Sequence, residues 1–158
     1  MWIRDQSMRN NLFLITMRYY ELCTLTDSQI DDLLGLMKEL NPELTVTAEM
    51  QRRAVGAPGT RIFTVENDDR RIVGCATLCV YESPTGRKAS VEDVVVLPAY
   101  RGQGIGRTLL QRIIDFAGSK LSPIDLHLTS NPRRAEANAL YEALGFKQRE
   151  TNVYMMKL

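Results

Sequence analysis

The chain has 158 residues, 44% of them hydrophobic and 25% charged, enough for one well-filled core and short of two. Twenty basic against 19 acidic residues leave a formal net charge of +1, which excludes a global field for gathering nucleic acid or a membrane surface. Any anion the protein binds must be held by a local site.

Residues 1–16 read as an extension, and residues 17–158 as one domain. The run Leu12–Ile15 is far shorter than the apolar core of a signal peptide, and no stretch approaches a membrane span. A cytoplasmic protein is expected. Met17–Leu25 then reads as a first strand. Thr26 or Asp27 can cap a helix with Ile30, Leu33, Leu34, Met37 and Leu40 at helical spacing, ended by Asn41-Pro42. A shorter helix fits Thr47–Val55. Arg61–Glu66 and Arg71–Tyr81 follow as antiparallel strands joined across Asn67–Arg70.

Ser83-Pro84-Thr85-Gly86 is a turn into a strand from Lys88 to Leu97, stopped by Pro98. After a glycine-rich loop comes a helix to Ala117, with Gly118 as its stop. Ile124–Ser130 reads as a strand and Arg134–Leu144 as a helix. Phe146–Arg149 and Asn152–Leu158 close the chain as one or two short strands. Early antiparallel strands followed by β-α-β-α predict an α/β fold, a central mixed sheet with helices on both faces. Cys23, Cys75 and Cys79 have no metal-site spacing and read as reduced thiols; no metal is expected.

The chemistry concentrates in one stretch, Val94-Val95-Val96 running through Pro98 to Arg101-Gly102-Gln103-Gly104-Ile105-Gly106-Arg107. A buried strand enters a loop with glycine at alternate positions, and a helix starts at once: Ile105, Leu109, Leu110, Ile113 and Phe116 share one face. Glycines let backbone approach a ligand, and the free N–H groups of a first helical turn attract anions. Arg101 and Arg107 add positive charge. The loop suits a diphosphate. It lacks the lysine of a Walker A loop, and its even glycine spacing, late in the chain, does not fit a Rossmann fingerprint.

Arg101-Gly-Gln-Gly-Ile-Gly106 resembles the first signature of the GNAT superfamily of N-acetyltransferases. Asn138-Ala-Leu-Tyr141-Glu-Ala-Leu-Gly145-Phe146 is similar to its second, and the strand between them fits the interval. The resemblance covers roughly Arg61 to the C-terminus. It implies a GNAT-like acyl-CoA N-acyltransferase fold and acetyl-CoA as cofactor. Backbone at Arg101–Arg107 would bind the diphosphate, and Val94, Val95 and Val96 would bind the pantetheine arm. Asn131 and Asn138 would face the same cofactor.

By the same resemblance, Tyr141 would be the general acid to the leaving thiolate, a role its ordinary pKa near 10 allows. Glu92 would be the base for the attacking amine, since alternation puts it on the face of Val94 and Val96, with Asp93 opposite. His127, the single histidine, reads as a packed or partly exposed sheet residue. Arg133-Arg134 suits either a cofactor phosphate or a solvated helix start. The expected acceptor is a primary amine of a small molecule, with a protein N-terminus or lysine as the alternative. The Val-Glu-Asp-Val-Val-Val strand is similar to one in glucosamine-phosphate acetyltransferases. A non-catalytic acyl-CoA or nucleotide-binding module is the reading of another class. A homodimer through the C-terminal strands is an expectation from the same relatives.

Overall fold

A computed structural model describes residues 16–158; the extension expected over residues 1–16 lies, but for Thr16, outside them. The described elements run β1 (Arg18–Leu22), α1 (Asp27–Leu40), α2 (Ala48–Gly56), β2 (Thr60–Glu66), β3 (Ile72–Ser83), β4 (Gly86–Val96), α3 (Ile105–Phe116), β5 (Asp125–His127) and α4 (Ala135–Ala143). The five strands form one sheet in sequence order. Every pairing is antiparallel except β4–β5, which is parallel. The mixed sheet with flanking helices is the architecture anticipated from the sequence.

Helix starts follow their caps. Thr26 accepts from the Gln29 N–H while the Gln29 side chain returns to the Thr26 N–H, a full capping box for α1. Thr47 caps α2 in the same way on the Met50 N–H. Inside, two apolar clusters lie on opposite faces of the sheet. Leu33, Leu36 and Met37 of α1 pack on Ile62, Cys75 and Val95; Leu109, Leu110 and Ile113 of α3 pack on Val65, Leu78 and Val91. Each cluster buries several side chains completely, and at about 25 cal/mol per Å² this is the main favourable contribution to the fold.

Four local expectations change. Gly118 does not stop the third helix. Its backbone is not left-handed, and the helix continues as a π-helical turn over Ala117–Leu121 until Ser122, which Pro123 forces into an extended conformation. The strand expected over Ile124–Ser130 pairs only from Asp125 to His127, and Leu128–Ser130 joins no ladder. The C-terminal strands are not formed. Val153, Tyr154, Met155, Met156 and Leu158 are all strongly exposed and pair with no strand among the described residues.

The fourth change is a β-bulge. Glu92 pairs with Thr77 and Val95 with Cys75, so Asp93 and Val94 together stand opposite Ala76. Asp93 takes a left-handed conformation, φ 50°, to fit the extra residue.

Candidate active site

The first wall of the site is one edge of β4. Lys88–Ser90 pairs with Asp125–His127, and the remaining six residues, Val91–Val96, have no strand beside them on that side. Opposite stands the start of α4. Between them lies a cavity of about 650 Å³, lined by Val94, Val95, Val96, Arg101 and Arg133–Ala137, with Glu39 and Leu40 of α1 at its rim.

The loop after β4 reaches this cavity through Arg101. Pro98–Tyr100 makes one 3-10 turn, and the chain then passes through Gly102 and Gly104, both left-handed at φ 73° and 78°. Gly104 is the N-cap of α3. A side chain there would be strained, and the left-handed turn aims the N–H groups of Ile105, Gly106 and Arg107 outward. They precede the first intrahelical bond, from the Thr108 N–H to the Gly104 carbonyl at 3.0 Å. Gly106 is ordinary helix, where a Cβ would sit in ordinary van der Waals contact with Leu140 of α4 and Val96 of β4, at 3.8 and 4.0 Å. Gln103 donates to the Ala99 carbonyl at 3.3 Å and stiffens the loop.

The two loop arginines diverge. Arg101 folds back: its Nε donates to the Val96 carbonyl at 2.9 Å, and its other end pairs with Glu39 at 2.7 Å. The Arg107 side chain faces a separate, open depression with Phe63, Gln111 and Arg112, so only its backbone belongs to the site. Asn131 accepts from the Arg133 N–H at 2.9 Å through Oδ1, and Asn138 donates to the Asn131 carbonyl at 3.1 Å. The two asparagines tie down the turn into α4. Ser130, just before that turn, has a buried Oγ with no hydrogen-bond partner among the described residues, an orphan a ligand would satisfy.

Tyr141 is buried in the α3-side cluster at 7% exposure. Gly145, left-handed at φ 98°, ends α4 and folds Phe146 back, with its N–H on the Tyr141 carbonyl and its ring edge-on to the phenol at 6.2 Å. The Tyr141 hydroxyl has no hydrogen-bond partner among the described residues. Burial raises its pKa above the usual phenol value, against a smaller lowering by the Arg134 guanidinium. It therefore stays a proton donor at neutral pH.

Glu92 is the correction. Simple alternation puts it with Val94 and Val96, but the bulge at Asp93 slips the phase by one residue. Glu92 lies instead on the face of Thr77, Cys75 and Val95, the side that α1 covers, while Val94 and Val96 face the α3 side. Both Glu92 and Asp93 are exposed. The Asp93 carboxyl is raised above its ordinary value by desolvation and by the Glu92 carboxylate. His127 is exposed on β5, its Nε2 3.3 Å from the Tyr81 hydroxyl. Among the described residues no cluster of His, Cys, Asp and Glu could hold a metal. Sequence reasoning missed Glu39, Leu40 and Ala135–Ala137; only the approach of α1 and α4 brings them to the strand.

A strand edge left open, a left-handed N-cap that frees three N–H groups, and a glycine-closed tyrosine helix are thus one connected arrangement. The acetyltransferase (GNAT) domain family matches residues 58–148, which hold most of it. A glucosamine 6-phosphate N-acetyltransferase of Trypanosoma brucei brucei is 35% identical over 140 residues, covering 82% of this chain and 90% of the relative. Among solved structures, an acetyltransferase of Trypanosoma brucei is 25% identical with a TM-score of 0.71, covering 90% of this chain and all of that one. An aminoglycoside N-acetyltransferase in complex with CoA shares the fold at 18% identity and a TM-score of 0.73, over 90% of this chain and 95% of its own. With the family match spanning more than half the chain and its signatures at the open edge of β4, this protein belongs to the GNAT family of N-acetyltransferases.

Proposed function

We propose that the protein uses acetyl-CoA to acetylate a primary amine of a small molecule, with an amino sugar phosphate as first choice. The observation that carries this reading is the unpaired edge of β4 running into the Gly104-capped start of α3. A pantetheine arm is a peptide-like strand with amide donors and acceptors, and an open strand edge is its complement. The three free N–H groups suit the diphosphate at the arm's far end. The orphan Ser130 Oγ fits the same occupant. The acceptor class rests on the glucosamine 6-phosphate relative, which is matched along nearly its whole length.

The bound cofactor supplies an acetyl group activated as a thioester. The chain supplies position and protons. Backbone at Val94–Val96 would hold the arm and polarise the thioester carbonyl through its dipoles. Tyr141 keeps a proton on Oη for the departing sulfur. Glu92, across the bulge from Val94, takes the amine proton directly or through water. Catalysis is direct, in a ternary complex, within residues 17–158. The exposed apolar tail Val153–Leu158 supports a homodimer in which a second copy covers it. No described helix is long and apolar enough to cross a membrane.

Calorimetry with acetyl-CoA, NADH and ATP tests the cofactor, and thiol release with glucosamine 6-phosphate, then kanamycin and an N-terminal peptide, tests the acceptor. Micromolar acetyl-CoA binding with turnover of glucosamine 6-phosphate is expected. Preference for another nucleotide would overturn the cofactor reading; turnover of the peptide alone would overturn the acceptor.

A further inference from the structure

Six polar or charged side chains are buried among the described residues, and they divide into two sets. Asp32, Thr64 and Glu66 are spent on the fold. Asp32 accepts from Arg71 and the Ile72 N–H, Thr64 donates to the Tyr20 carbonyl, and Glu66 accepts from Arg18 and Tyr20. Gln51, Thr77 and Ser90, at 8%, 8% and 9% exposure, make no side-chain hydrogen bond to another described residue. A buried polar group without a partner is costly, so these three call for one from outside the chain.

All three lie on one side of the sheet. Gln51 shares the face of α2 with Ala54 and Val55, which pack into the α1-side cluster. Thr77 and Ser90 stand on the α1 face of β3 and β4, because their neighbours Ala76, Leu78, Ala89 and Val91 belong to the α3-side cluster. Neither hydroxyl is sealed: among the described residues the one fully buried side-chain nitrogen or oxygen without a partner is Ser130 Oγ.

Register sets the two hydroxyl residues beside Glu92. Thr77 is its direct partner across the β3–β4 ladder, about 5 Å away. Ser90 lies two residues along β4 on the same face, about 7 Å away. Ser90 is also the last residue of β4 paired with β5, so this row ends where the open edge begins. An amine held at Glu92 therefore has one hydroxyl across the ladder and one along the strand, a spread that a single sugar ring covers.

The chemistry of the pair discriminates between amines. Each hydroxyl can both donate and accept, which matches a ring bearing hydroxyls. A lysine side chain or another alkyl amine would leave both unpaired, and a site shaped for a hydroxyl discriminates strongly against an analogue that lacks it.

We infer that Thr77 and Ser90 are specificity-determining residues: their hydroxyls bind ring hydroxyls of the acceptor and restrict transfer to polyhydroxylated amines. The inference rests on the acetyl-transfer reading above and narrows its acceptor.

The test measures thiol release with glucosamine 6-phosphate and with 2-aminoethyl phosphate, which keeps the amine and the phosphate and lacks the ring hydroxyls. Wild type should favour the sugar in kcat/KM by on the order of 100-fold, the effect of two hydrogen bonds left unmade. Thr77→Val keeps the branched shape and Ser90→Ala removes one oxygen, so melting temperatures should show both variants folded. Each should raise KM for glucosamine 6-phosphate about fivefold, with kcat and acetyl-CoA affinity within about twofold of wild type. Neither should change the rate with 2-aminoethyl phosphate. An unchanged KM in either variant, equal loss on both amines, or a wild-type preference for 2-aminoethyl phosphate would overturn the hydroxyl assignment and leave acetyl transfer intact. If folded wild type acetylates neither amine, the acceptor reading above falls and this one with it.

Discussion

The two edges of β4 are built to opposite ends. Its β3 edge is paired from Ser83–Gly86 to Gly74–Val96, interrupted by one bulge, whereas its parallel edge is paired for three residues and then left open. The paired edge carries stability: Leu78, Val91 and Ala89 beside it are buried in the core. The open edge borders the cavity of the candidate site, lined by buried and half-buried valines and by exposed arginines. A strand can serve as scaffold and binding template at once, provided each task has its own row of backbone groups.

This division can be broken by variants that should affect one side and spare the other. The largest effect is expected from Gly104→Asp, which puts a strained side chain and a negative charge beside the three free N–H groups proposed to bind the diphosphate. Acetyl-CoA affinity should fall by on the order of 100-fold or more by calorimetry, while the chain still folds. An affinity within a few-fold of wild type would remove the loop from the site.

Tyr141→Phe should lower kcat by on the order of 100-fold, the usual range for a positioned proton donor, with acetyl-CoA affinity changed less than about twofold. Because burial raises the phenol's pKa, wild type should show no alkaline loss of kcat from this group below about pH 10. Equal losses of kcat and affinity would mean that the residue supports packing and not proton transfer.

On the scaffold side the expected signs reverse. Asp32 is buried on α1 and accepts from the Ile72 N–H at 2.9 Å and from Arg71 at 2.5 and 2.7 Å. Asp32→Ala should cost about 2 kcal/mol in urea unfolding, because the Ile72 N–H loses its acceptor, with acetyl-CoA affinity unchanged. Glu66 gives a smaller, pH-dependent effect. Burial alone would raise its pKa, but hydrogen bonds from Tyr20 and Arg18 outweigh that and hold it below the ordinary carboxylate value. Its contribution is complete above the unfolded value near 4.3 and is lost as pH falls through the folded one. Glu66→Gln should therefore cost about 1 kcal/mol at pH 7 and flatten the acid limb of stability.

The smallest test is chemical. Burial pushes the Cys75 thiol up to about 12, and Cys23 is exposed. Iodoacetamide at pH 8 should label Cys23 in the native protein and reach Cys75 only after unfolding.

Where the sequence was readable, one local rule sufficed. Helical spacing marked Leu33 and Leu109, Thr26 stood among two cap candidates before the helical run, and the glycines at 102 and 104 marked a loop whose left-handed backbone glycine adopts most cheaply. Where it was not, the deciding contact was distant. Nothing near Arg101 announces Glu39, sixty-two residues away, and nothing in Asn138 says that its amide is spent on a turn. The tail from Val153 has strand-like composition yet pairs with no strand among the described residues. Glu92 was misplaced by one residue's worth of phase, since strict alternation cannot show where a strand holds an extra residue.

That extra residue should be visible without any structure. If each position of β4 were changed to a charged residue and survival scored, the intolerant sites on the α3 side should fall at 89 and 91, then at 94 and 96. The rhythm would skip one beat at Asp93 and resume, so a library of growth phenotypes would register the bulge as a syncopation in an otherwise regular signal.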